Sequence, residues 1–145
     1  MLGRKNYPQE EFDHGKVAIK KQFAAYKKLV GEIASGTPEK KLQSALKDFE
    51  GMFFNNMTLV LDRYYVHGLR MVTGKDGNPL NEAEMICDSL LNNNGILRDS
   101  NVIKYIPDQS VVKLNVGDKI RITAEEFERL SAAFFAELER KFLES

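Results

Sequence analysis

The chain has 145 residues, 43% of them apolar and 29% charged, which is the size and composition of one globular domain and excludes a disordered or collagen-like chain. Twenty-one Lys and Arg balance twenty-one Asp and Glu, so there is no overall positive field to recruit nucleic acid or an anionic membrane surface. The lone Cys87 can form no intramolecular disulfide, no segment approaches about eighteen uninterrupted apolar residues, and the start MLGRKNYPQEEF offers no signal-peptide run; a cytoplasmic location is expected.

Taken in chain order, Phe12, Ile19, Phe23, Tyr26, Val30 and Ile33 fall at spacings of seven, four, three, four and three, with lysines on the other faces. That period predicts an amphipathic helix over about residues 10 to 34. Ser35-Gly36 supplies a stop, and Thr37-Pro38-Glu39 supplies the next start, with Thr37 as N-cap and Pro38 at the first helical position. So short a connection folds the second helix back on the first as a long αα-hairpin. Leu42, Leu46, Phe49, Phe53, Met57, Val60, Tyr64, His67 and Met71 carry that second helix to about residue 72, with Gly51 and Gly68 as places where it could bend.

Residues 74 to 79, dense in Gly, Asp, Asn and Pro, predict an exposed loop. A short third helix is expected over about residues 82 to 93, with Asn81 as N-cap, Glu84 at N3, and Leu80 and Met85 as the flanking apolar pair. Gly95 should end it in the left-handed conformation, with Ile96 packing back on Leu91. The β-branched content then rises, and Val112, Leu114, Ile120 and Ile122 flank a turn at Asn115 to Asp118, which predicts a β-hairpin between about 111 and 122. A third short strand over 102 to 106 would end at Pro107. A C-terminal helix over about 124 to 143 begins with a Thr123/Glu126 capping box and an Ile122/Phe127 apolar pair. The expected fold is mainly α: a single four-helix domain with a small β-hairpin inserted before the last helix.

The stretch from Asn55 to Arg70 is the most unusual, because polar and aromatic groups interrupt an otherwise core-like helix. Arg63, His67 and Arg70, four and three apart with Tyr64 beside them, could present two guanidinium groups and an imidazole to a small anion. The competing structural reading has solvated or ion-paired arginines and a hydrogen-bonded histidine at the edge of the core. Asp62 and His67 are raw material for acid–base chemistry, yet nothing in the sequence orders them for it, and no catalytic residue is assigned.

His14 and His67 form no i, i+4 ligand pair, and an EF-hand read from Asp76 fails at Asn81 and Cys87, so neither a metal nor a cofactor is expected. Phosphate loops and nucleophile elbows are missing, and Cys87 reads as a small buried apolar residue. Residues 1 to 72 hold twelve basic and eight acidic side chains, and residues 73 to 145 hold nine and thirteen, giving halves of +4 and −4. The adjacent pairs Phe53-Phe54, Tyr64-Tyr65 and Phe134-Phe135 point about 100° apart on a helix and so demand wide buried surfaces, within the chain or across a dimer.

Residues 49 to 79 resemble stretches in bacterial proteins with no assigned activity; the resemblance implies a soluble bacterial protein and carries over no site residue. The reading from the residues is a noncatalytic helical assembly module, homodimeric, without membrane or nucleic-acid partners. Its alternative is a small-anion or metabolite-binding protein using Arg63, Tyr64, His67 and Arg70.

Overall fold

The computed structural model describes residues 8–34, 39–65 and 73–143. Among them are four α-helices: α1 (Gln9–Ala34), α2 (Lys40–Tyr64), α3 (Pro79–Asn92) and α4 (Ala124–Phe142). Each buries apolar residues at helical spacing. On α1, Phe12, Gly15, Ile19 and Tyr26 face inward at spacings of three, four and seven. On α2 the buried face is Phe54, Met57, Leu61 and the following Tyr65, at three, four and four, so of the described residues in the expected stripe only Met57 is buried and Leu42, Phe49 and Tyr64 are exposed. The short α3 packs against both α2 and α4, α2 touches α4, and α1 lies along α2. Burying each large apolar side chain contributes about 1.5–3 kcal/mol, and their combined core draws on all four helices.

Aromatic rings make up much of that core. Tyr26 meets Phe54 edge-on at 4.8 Å, and Phe12, Tyr65, Phe134 and Phe135 form a second cluster with ring centroids 5.8–6.1 Å apart. Phe54, Tyr65, Phe134 and Phe135 are therefore covered within one chain, so the adjacent aromatic pairs do not themselves require a second copy. The Tyr65 hydroxyl donates to the Phe12 carbonyl at 2.7 Å and lies directly over Gly15, where a Cβ would collide with the ring. Close approach of Tyr65 to α1 thus depends on glycine at that position.

The expected start and stop signals are partly realised. The Thr123/Glu126 capping box forms in both directions, and Ile122 and Phe127 beside it are buried. The cap of α3 lies three residues before the expected one, since Asn78, not Asn81, accepts from the N–H groups of Leu80 and Asn81, with Pro79 as the first helical residue. Asn81 is instead buried and ties the preceding loop, donating to the Gly74 carbonyl and accepting from Gly77 N–H. Gly95 is left-handed at φ 74°, whereas Ile96 and Leu91 remain largely exposed. The Thr37-Pro38 start and residues 66–72 of the expected second helix, Gly68 included, lie outside the described residues; α2 begins at Lys40 after Glu39 and runs unbroken past Gly51.

The expected β-hairpin does not form. The described segment 93–123 is irregular, with a 3-10 turn at Pro107–Gln109 and a single antiparallel bridge between Ile96 and Lys119. Backbone bonds join residues 95–97 to 117–120 around that bridge, and side chains take backbone groups at 111–112 and 120–122 in place of a hairpin ladder. Glu82 accepts from the N–H groups of Val111 and Val112 at 2.8 and 2.9 Å, and Asn55 donates to the Ile120 carbonyl while accepting from Ile122 N–H. Lys113, at φ 63°, turns the chain between them out of the extended region. A third strand over 102–106 is also absent: Ser100 accepts from Val102 and Ile103 N–H, and Lys104 N–H reaches back to the Lys75 carbonyl.

Candidate functional site

The last turn of α2 carries the described part of the sequence-derived site. Asp62 points inward and is 7% exposed, while Arg63 faces solvent. Tyr64 is half-exposed, its ring 6.4 Å from that of His14 on α1, in a shallow hollow shared with Glu10 and Glu11. Two carboxylates beside Tyr64 work against an anion at that ring. His67 and Arg70 lie outside the described residues, so neither the arginine-histidine face nor an Asp62/His67 pair is described as a unit. Cys87 is buried on α3, its thiol within 3.4 Å of the Thr58 carbonyl. Among the described residues, no group of three or more His, Cys, Asp or Glu side chains is placed to hold a metal ion.

Two other surfaces emerge only from packing. A groove of about 560 Å³ runs between α1 and α4. Ile19, Phe23, Phe127 and Phe135 form its floor, and Ala24, Ala132 and Ala136 line its walls. Lys16 bridges to Glu139 at 3.3 Å, and Lys27 to Glu128 at 3.8 Å. Their ammonium groups also sit over the Phe135 and Phe23 rings at 5.5 and 5.3 Å. Lys20 lies on the rim between these bridges and has no carboxylate partner among the described residues. The lysines at spacings of four and seven, and the glutamates eleven apart, show in the sequence as two charged helix faces; that they oppose one another across α1 and α4 does not.

The second surface is the outer side of the α1/α2 pair. Leu42, Phe49 and Met52, seven and three apart on α2, are 46%, 46% and 62% exposed, and Leu29 on α1 is 50% exposed. Leu29 and Phe49 border a shallow apolar hollow with Tyr26 and Phe53, where Phe53 stacks on both Tyr26 and Phe49 at 5.7 Å. Beneath it Glu50 joins three helices: one oxygen accepts from the Tyr26 hydroxyl at 2.7 Å, the other from Ala124 N–H at the start of α4. Burial and the neighbouring Glu50 carboxylate keep the Tyr26 phenol protonated well above its ordinary range. No role for Glu50 or Glu82 was legible in the sequence, and Asn55 fell in the unusual stretch without one, because a polar residue on a helix looks the same whether it meets water or a neighbouring backbone.

No helix among the described residues is long and apolar enough to cross a membrane. No family model, no curated protein and no solved structure matches this chain.

Proposed function

We propose that this chain is a noncatalytic helical assembly module that pairs with a second copy through the outer face of α1 and α2. One observation carries the reading: Leu29, Leu42, Phe49 and Met52 remain about half exposed on that helical pair. Single exposed apolar residues are ordinary, but several large ones on one helical pair are characteristic of an association surface. The face also continues inward through Phe53 to the buried Tyr26, so a second copy would extend an existing core instead of resting on a polar shell. The balance of +4 and −4 between the sequence halves gives copies no net repulsion to overcome.

Light scattering at micromolar concentration should give about twice the 16.5 kDa chain mass. Phe49→Glu and Leu29→Glu should return it to the single-chain mass with helix content unchanged, because both side chains already face water in the isolated chain. A wild-type protein that stays monomeric at these concentrations overturns the proposal.

A further inference from the structure

The groove between α1 and α4 has an apolar floor, two bridged ends and one cation left over. Phe23 stacks on Phe127 at 6.2 Å, and Phe12 meets Phe135 at 5.9 Å, so ring contacts hold the two helices apart above the core. Their small residues, Ala24 on one side and Ala132 and Ala136 on the other, then bound an open space where larger side chains would have filled it. A volume of about 560 Å³ falls within the range of small-molecule sites. The bridges Lys16–Glu139 and Lys27–Glu128 cross the groove eleven residues apart on α1, which is about 16 Å of helix.

We infer that this groove binds an aliphatic carboxylate, with the chain lying over Phe23, Ala132 and Ala136 between the two bridges and the carboxylate paired to Lys20. The charge of the lining selects one negative group: three lysines face two glutamates, and each glutamate is already bridged to a lysine. A cation would meet the excess positive charge, and a multiply charged anion would exceed it. Ser131 directs its hydroxyl to the Glu128 carbonyl at 3.2 Å, which leaves Lys20 as the donor open to a ligand. The bridges also select a slender occupant. A partner helix, about 10 Å across, would have to displace both of them, whereas a single hydrocarbon chain fits between.

Dodecanoate, titrated below its micelle concentration and followed by calorimetry, should bind the full-length protein saturably at one site per chain. Lys20→Gln should weaken dodecanoate about tenfold, the usual scale for loss of a charge-assisted contact, and leave dodecanol unaffected. Ala132→Trp, at an exposed position that tolerates the larger ring, should weaken both ligands while the circular dichroism spectrum stays that of the wild type. Absence of saturable binding overturns the inference, as does equal dodecanoate affinity in the Lys20 variant or undiminished binding after Ala132→Trp. So does a dimer that Ala132→Trp converts to monomer, since the groove would then be covered by a second copy. The binding outcomes leave the outer face untouched, which the Phe49 and Leu29 variants test separately; only a dimer lost in Ala132→Trp would count against both surfaces.

Discussion

Glu82 is buried to 2% exposure, and its two oxygens hold the backbone of Val111 and Val112. Burial raises its carboxyl above the ordinary value of 4.5, against the two N–H bonds that pull it down. A native pKa above the unfolded one means that the native state keeps a proton the unfolded chain has released. Stability from this group is therefore complete below about pH 4.5 and is lost as pH rises through the elevated pKa, with a slope of at most about 1.4 kcal/mol per pH unit. Urea titrations across that range should show the slope in the wild type and its loss in Glu82→Gln. Glu82→Ala should cost more, about 2 kcal/mol or above, because it strands both N–H groups. Gly77 is a second sensitive residue: it is left-handed at φ 85°, and a Cβ there would collide with the Lys104 carbonyl. Gly77→Ala should lower the urea midpoint by the equivalent of more than about 1 kcal/mol, and an unchanged midpoint would show that the 73–79 loop shifts freely.

Among the elements, α4 is the most fully specified by its own residues. Its capping box, its acidic first turn at Glu125 and Glu126 and its basic last turn at Arg140 and Lys141 all agree with the helix dipole. Thr123→Ala removes the side-chain acceptor for Glu126 N–H and should destabilise the fold by about 1 kcal/mol; thermal unfolding measures it, and Thr123→Ser should restore most of the loss. α3 is a case of close competition. Asn78 and Asn81 both have the chemistry of a cap, and Pro79 decides between them, because its fixed φ and missing N–H suit the first helical position and leave Asn78 as the cap. The segment 93–123 has the apolar pattern of a hairpin without its ladder. Val112, Ile120 and Ile122 are buried as their alternation predicts, but Glu82 and Asn55 reach their backbone from α3 and α2.

For the whole molecule, two aromatic substitutions should separate folding from assembly. Phe54 is wholly buried among Phe23, Tyr26, Phe53 and Phe127, so Phe54→Asp should abolish cooperative unfolding, since it buries an unpaired charge. Phe49, five residues earlier and half exposed, should tolerate the same change as a folded monomer, as its outer-face position requires. Near-ultraviolet circular dichroism and sedimentation together distinguish the two outcomes. The Lys16–Glu139 and Lys27–Glu128 bridges are partly to largely solvent-exposed, so raising salt should alter thermal stability little even though these pairs bound the groove.

The sequence by itself determined the helices, because apolar spacing of three and four depends only on helical geometry and the Thr123 cap acts within four residues of chain. It also marked Val112, Ile120 and Ile122 as core residues through their alternation, but on α2 it selected a neighbouring face: Leu42, Phe49 and Tyr64 meet water, and Phe54, Leu61 and Tyr65 are buried in their place. Only the tertiary structure decided which of Phe49 and Phe54 meets water, where Lys20 lies relative to Glu128 and Glu139, and which backbone groups Glu82 and Asn55 satisfy. Those outcomes depend on how helices far apart in the chain come together, and a pairing between Lys27 and Glu128, or between Asn55 and Ile122, leaves no local trace in either segment.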